Sequence, residues 1–162
     1  MSERLLCILI LVAALGSGLI AGVFFAFSSF VMSALGRLPP PQGIAAMQSV
    51  NIAVINPVFM GVLFGTAVLM LYLGYWGARH GEDRRTMMLM AGAICYLIGS
   101  IAVTMVFNVP LNNALAAVDP TSSGGAALWT KYQSSWTWWN HLRGAAALAA
   151  SAAFIRTFVV SP

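Results

Sequence analysis

The first long run of the chain contains no charged side chain between Leu5 and Leu35. A helix needs about 20 apolar residues to cross the hydrocarbon core of a membrane, so this run is long enough to span it. Arg4 followed by apolar sequence also resembles the start of a signal peptide. The apolar run continues far past the usual short length, however, and no clear cleavage site follows it. We therefore interpret the run as a retained span, with residues 22–32 forming its far half.

The composition extends this interpretation to the whole chain. Charged residues make up only 7% of it, whereas a soluble domain carries roughly 25%. So few charges cannot cover a surface that faces water, and lipid must cover most of it. The basic residues stand singly apart from Arg84 and Arg85, so we interpret them as anchors at the membrane interface and expect no nucleic-acid partner.

The apolar runs predict an all-α fold, a transmembrane four-helix bundle formed by a single membrane domain over residues 1–162. The predicted spans are about 5–35, 56–78, 87–109 and 139–159. Three prolines from Pro39 end the first helix, and a short interfacial helix follows in the first outer connection. We place this helix at residues 42–55. A helix from Ala126 to Trp138 leads without a break into span four.

The distribution of basic residues predicts the orientation. Four spans put both termini on the side of the short charged loop between spans two and three. This side carries more basic residues than the other, which predicts that both termini are cytoplasmic, in a bacterial inner membrane. The basic residues on it are Arg4, Arg79, Arg84, Arg85 and Arg156. The two longer connections, 36–55 and 110–138, then face the outside.

Glycines recur at a spacing of four residues in two of the spans. Gly18 and Gly22 form one pair, and Gly61 and Gly65 form the other. Small residues at this spacing let membrane helices approach closely. The pairs indicate either packing within the bundle or a homo-oligomer interface, and the sequence leaves both open.

Polar residues are costly inside a membrane, and here they collect at one end of the predicted bundle. The far end of span one, the start of span two, the end of span three and the start of span four all reach the outer face. This topology predicts a common site there. Its members are Ser28, Ser29, Asn51, Asn56, Asn108, Asn112, Trp136, Asn140, His141 and Arg143.

The residue types in this cluster limit its chemistry. They offer several amides, one titratable base in His141 and one cation in Arg143, with no carboxylate and no cysteine. One histidine does not make a metal site, and the usual partners of an axial haem ligand are missing, so we expect no metal or other cofactor. The asparagines also fit simple hydrogen bonding between helices, and the tryptophans fit an aromatic belt at the interface.

Four segments of the chain resemble the anthrone-oxygenase-like family of small membrane proteins, long catalogued as a domain of unknown function. They are GVFFAFSSFVM (22–32), MQSVNIAVINPVFM (47–60), VFNVPLNNALAAVDP (106–120) and WTKYQSSWTWWNHLR (129–143). The resemblance implies oxidation of an anthrone to an anthraquinone by molecular oxygen, an activity of fungal relatives for which no cofactor is clearly assigned.

On this resemblance we assign expected roles to the clustered residues. His141 would take a proton from the substrate, and Asn108, Asn112 and Asn140, with Arg143, would stabilise the developing oxyanion. A flat, apolar aromatic ligand would enter from the lipid bilayer and stack on aromatic side chains. The residues expected to bind it are Asn56, Asn112, Trp136, Ser29, Phe25 and Asn51. Two alternatives remain: a protein that binds or transports a lipid, quinone or aromatic compound without turnover, and a structural or assembly protein.

Overall fold

The computed structural model describes residues 1–81 and 83–159, and within them it is all-α, with no strand. Five helices account for most of this part of the chain. They are α1 (Glu3–Gly36), α2 (Pro40–Ala53), α3 (Pro57–His80), α4 (Arg84–Ala116) and α5 (Ser123–Thr157). The interfacial helix predicted at 42–55 corresponds to α2, and the helix predicted to lead into span four is continuous with it in α5.

Three helices are long and apolar enough to cross a membrane, namely α1, α3 and α4. They indicate a membrane protein, as the composition predicted. The predicted fourth span at 139–159 lies within α5, which is not one of these three helices. Asn140, His141 and Arg143 lower the apolarity of that segment, so the fourth crossing stays a prediction.

Side chains at the connections satisfy the free amides of the first helical turns. The Asn56 side chain accepts hydrogen bonds from the amides of Val58 and Phe59, at 3.1 and 3.0 Å, and so caps α3. Asp83 caps α4 by accepting from the Thr86 amide at 2.8 Å. This bond and that from the Thr86 hydroxyl lower the pKa of the exposed Asp83 carboxyl. The caps fix where α3 and α4 begin.

One apolar core lies between α1, α3, α4 and α5. Its fully buried members include Ile10, Met70, Tyr96 and Phe154. The helices α1 and α5 lie against each other along most of their length, and the Ser151 hydroxyl donates to the Ala14 carbonyl at 2.8 Å across this contact. These four helices therefore form the body that positions the polar residues.

The glycine pairs differ in their surroundings. A Cβ added at Gly18 would lie 3.2 Å from the Ser151 hydroxyl, so this glycine permits close packing of α1 on α5. A Cβ at Gly22, Gly61 or Gly65 would meet no atom within 4 Å. Packing among the described residues therefore explains Gly18 but not the other three.

A second apolar cluster lies where the ends of α1 and α4 meet α2 and the first half of α5. Its buried residues are Met32, Ile44, Met47, Leu115, Trp129, Tyr132 and Trp136. The Gln48 side chain fastens α2 to the end of α4 by donating to the Leu115 carbonyl at 2.8 Å and to the Val118 carbonyl at 3.1 Å. As a result α2 covers this end of the helical body.

Wider π-helical turns interrupt α1 and α4. They occupy Phe27–Val31 in α1, and Cys95–Ala102 and Thr104–Asn108 in α4. Pro110 follows the last of these turns, and α4 continues to Ala116. A wider turn relieves the clash between a proline ring and the preceding turn, so the helix is distorted here without ending. Such turns occur often at functional sites.

Candidate functional site

The polar residues near the covered end form a buried hydrogen-bond network between α1, α4 and α5. Asn108 and Asn140 are completely buried, and Arg143 is 7% exposed. Buried polar groups need partners because each one left unpaired costs about 1–3 kcal/mol. The hydrogen-bond partners of these three residues therefore show what keeps each side chain in place.

Arg143 is the cation at the centre of the network. Its Nε and Nη2 atoms donate to the Asn140 side-chain oxygen at 2.9 and 2.7 Å. Its Nη1 atom donates to the Thr104 hydroxyl at 3.2 Å. The guanidinium carbon also lies 4.0 Å from the ring centre of Phe24 and 5.0 Å from that of Trp136. In the described part of the chain no carboxylate pairs with this cation. The Asn140 amide, the Thr104 hydroxyl and two aromatic faces hold it instead.

Asn140 connects the network to α1. Its side-chain nitrogen donates to the Phe24 carbonyl and to the Ser28 hydroxyl, both at 2.6 Å. Its oxygen is already held by Arg143. All polar atoms of this side chain are thus engaged, which fixes its orientation.

Asn112 and Asn108 of α4 form a second set of hydrogen bonds, which the contact of Arg143 with the Trp136 ring joins to the first set. The Asn112 oxygen accepts from the Tyr132 hydroxyl and from the Trp136 ring nitrogen, both at 2.8 Å. Asn108 donates to the Trp136 carbonyl at 3.2 Å, and its own oxygen is buried without a partner among the described residues. Trp136 is therefore fixed from two sides by α4.

A groove between α1 and α5 runs past this network, and its two sections share Ser28 and His141. The larger section has a volume of about 620 Å³ and the other about 410 Å³. The larger is also lined by Met32, Ser33, Gly36, Arg37, Gln133, Ser134, Thr137 and Trp138. The smaller is also lined by Gly18, Ala21, Gly22, Phe24, Phe25, Asn140, Gly144, Ala145 and Leu148. Volumes in this range are typical of small-molecule sites.

His141 lies where the two sections meet. The side chain is exposed, and no hydrogen bond to it is found within residues 1–81 and 83–159. Asn140, the preceding residue, turns inward and forms part of the wall. The imidazole of His141, which has no hydrogen-bond partner among the described residues, thus lies next to the fixed amide of Asn140. Arg143 contacts that amide from the protein interior.

The structure separates the predicted residues into groups. Asn108, Asn112, Trp136 and Arg143 belong to the network but do not line the groove described above. Phe25 lines the groove. The Ser29 hydroxyl donates to the Phe25 carbonyl within its own helix at 2.7 Å.

Two further predicted residues belong neither to the network nor to the lining of the groove. Asn56 caps α3 and donates to the Ala53 carbonyl at 2.9 Å. Asn51 is half-buried on α2, next to Tyr132. Its side-chain nitrogen has no hydrogen-bond acceptor at suitable distance and angle among the described residues. The substrate-binding role of both residues stays a prediction.

Sequence reasoning missed Tyr132 and did not identify Thr104 as a partner of Arg143. A stripe in α5 points to Tyr132, because the buried residues there follow each other at intervals of three and four. They are Gly125, Trp129, Tyr132, Trp136, Asn140, Arg143, Ala147, Ala150, Phe154 and Thr157, and Ser151 beside Ala150 is also buried. Ser28 belongs to the predicted common site, but no local pattern predicts its contact with Asn140, which joins residues 112 positions apart.

Within the described residues, no group of three histidine, cysteine, aspartate or glutamate side chains is placed to hold a metal ion. Cys7 and Cys95 are free and half-buried, on α1 and α4.

Comparison with known proteins gives one match. A family model described as anthrone oxygenase matches residues 56–153, which is more than half of the chain. The matched range includes α3, α4 and most of α5, and with them His141 and the network residues of α4 and α5. No curated protein matches significantly, and neither does any solved structure.

Proposed function

The chain belongs to the anthrone oxygenase family, and we propose on that basis that it is a membrane-embedded oxygenase. Its substrate is an anthrone or another flat phenolic, polyketide-type compound, which it oxidises with molecular oxygen and without a cofactor. The observation that carries this proposal is the position of His141. It is a free base in a groove of suitable size, backed by fixed amide groups and a buried cation.

The proposed reaction uses His141 twice. The imidazole first removes a proton from the methylene carbon of the anthrone, and the negative charge spreads onto the ring carbonyl. The carbanion then donates electrons to O₂, a carbon–oxygen bond forms, and the imidazolium returns its proton to give a hydroperoxide. Loss of the second proton from that carbon breaks the O–O bond and releases water. The products are a quinone carbonyl and one water molecule, so carbon is oxidised and O₂ is reduced.

The network supplies the electrostatic part of this proposal. Charge that develops on the carbonyl oxygen is stabilised by fixed dipoles and a nearby cation, which need no rearrangement during the reaction. Asn140 lines the groove, and Arg143 holds the oxygen of its amide. Asn108 and Asn112 do not line the groove but hold Trp136 by hydrogen bonds, so we assign them as positioning residues.

Oxygen uptake with emodin anthrone, measured on purified protein in lipid nanodiscs, tests the function. We expect His141→Ala to lower kcat by about a hundredfold or more, as for other general bases. His80→Ala is the matched control, because His80 stacks on Trp76 at the other end of the protein and should leave the rate unchanged. A His141→Ala protein that keeps the wild-type rate contradicts the mechanism. A wild-type protein without oxygen uptake contradicts the function.

A second candidate function follows from the groove alone, which would serve equally to bind or carry a quinone, lipid or aromatic compound without turnover. Its two sections form a path along α1 and α5. Extraction of a bound quinone or lipid from the purified protein, together with no oxygen uptake, would favour this function over the oxygenase.

We also propose that α5 completes a four-helix transmembrane bundle with both termini in the cytoplasm of a bacterium. The ion pair between Glu3 and Arg85 joins the starts of α1 and α4, which supports a single charged end for the protein. We expect a fluorescent protein fused to the C-terminus to fluoresce, and alkaline phosphatase fused after Gly125 to be active. The reverse pattern would refute the orientation, and fusions that place both positions on the same side of the membrane would refute the fourth crossing.

A further inference from the structure

The smaller section of the groove points to how the substrate binds and where it enters. We infer that the phenolic substrate proposed above enters from the membrane between α1 and α5 and binds there in one orientation. Its hydroxyl-bearing edge lies at Ser28 and His141, and its apolar part lies over Gly22. This inference deepens the proposed function and rests on it.

Gly22 supports this inference because its lack of a side chain leaves space that no other residue fills. A Cβ at Gly144, across the groove, would lie 3.2 Å from the Cβ of Phe24, so close packing accounts for that glycine. A Cβ at Gly22 would have no atom within 4 Å, yet Gly22 lines a cavity of about 410 Å³. Gly61 and Gly65 also have no atom within 4 Å of an added Cβ, but neither lines this cavity, so Gly22 is set apart by its place in the cavity wall.

The polar end of this section is suited to a phenol. Ser28 accepts its hydrogen bond from Asn140, and no acceptor is found for its own hydroxyl proton in the described residues. Ser29, by contrast, uses its proton within the helix. Ser28 therefore offers one donor, and the free ring of His141 offers an acceptor or a donor. A phenolic hydroxyl satisfies both, whereas a lipid acyl chain satisfies neither.

The direction of the section supports entry from the lipid. Gly18 and Ser28 are ten residues apart on α1, a distance of about 15 Å along the helix axis. The apolar half therefore runs from the polar cluster toward the middle of α1. Its outer margin carries the exposed side chains Phe25 and Leu148, at 69% and 61% exposure, which face lipid if α1 and α5 cross the bilayer. A molecule dissolved in the membrane reaches His141 this way without passing through water.

Quenching of tryptophan fluorescence by 1,8-dihydroxyanthraquinone in nanodiscs tests this inference without turnover, and the exposed Trp138 in the groove is a suitable reporter. We expect Gly22→Ala to weaken binding severalfold and Gly22→Leu at least tenfold, because the added carbons occupy the cavity. Gly65→Leu is the matched control, since Gly65 is also exposed and also has no atom within 4 Å of an added Cβ. It should bind like wild type, and thermal melting should show that all three variants are folded.

The same assay separates a phenol site from a general lipid groove. Anthracene, which lacks the hydroxyl groups, should bind at least tenfold more weakly than the dihydroxyanthraquinone. Equal binding of the two compounds, or wild-type binding by Gly22→Leu, would overturn the inference. If Gly22→Leu loses binding and wild type shows no oxygen uptake, the phenol site stands and the oxygenase function fails. If Gly22→Leu oxidises emodin anthrone at the wild-type rate, the function stands and the proposed binding mode fails.

Discussion

Replacement of Arg143 by alanine is expected to lower the free energy of unfolding by about 3 kcal/mol and to abolish most oxygen uptake. The substitution leaves the buried Asn140 oxygen without either of its two donors. It also opens a cavity between the Phe24 and Trp136 rings. The substitution also removes the cost of burying a cation that has no carboxylate partner among the described residues, which offsets part of this loss. The expected value is therefore smaller than the lost hydrogen bonds and the cavity would give together.

Arg143→Met is the matched comparison. Methionine fills much of the same space without a charge or a donor, so it should destabilise the protein by less than alanine does, by about 1–2 kcal/mol. Both variants should lose oxygen uptake if the charge stabilises the oxyanion. Equilibrium unfolding in detergent micelles and oxygen uptake measure the two effects. An alanine variant with wild-type stability contradicts the described network, and an active methionine variant contradicts the electrostatic role.

The second large effect is expected for Asn112→Leu, which should cost about 2–4 kcal/mol of unfolding free energy. Leucine preserves the approximate volume but removes the acceptor shared by the Tyr132 hydroxyl and the Trp136 ring nitrogen. Both donors belong to buried side chains, at 1% and 3% exposure, so water does not easily replace the lost acceptor. Two unpaired donors therefore add their costs.

Tyr132→Phe provides the control for this prediction. It removes one of the two hydrogen bonds and leaves no donor unpaired, because the Asn112 oxygen still accepts from Trp136. Its expected cost is about 1 kcal/mol. Chemical unfolding of both variants and of the double variant measures the coupling between the residues. Equal costs for the two single variants would show that Asn112 does not hold both donors.

The helices and their limits follow closely from local sequence. The long charge-free run from Leu5 predicts α1, and the three prolines from Pro39 predict its end. Asn56-Pro57 predicts the start of α3, because asparagine caps a helix well and proline fits its first turn. These signals depend on neighbouring residues only, so they need no knowledge of how the helices pack.

The position of each polar side chain does not follow from sequence in the same way. The prediction that the polar residues meet at one end holds for Asn108, Asn112, Asn140 and Arg143, which join one network with Trp136. Asn56 lies apart, because an asparagine next to a helix start forms its hydrogen bonds locally.

By itself, the sequence determined an all-α chain with membrane-length helices and a polar end, because apolarity and helix signals are properties of short segments. Only the tertiary structure decided that Asn140 faces inward and the adjacent His141 faces a groove. That choice depends on the rotation of α5 against α1 and on the wider turns in α1 and α4, which change the direction of every side chain beyond them. The hydrogen bond between Asn140 and Ser28 belongs to this arrangement, and because it joins residues 112 positions apart it cannot be predicted from either segment alone.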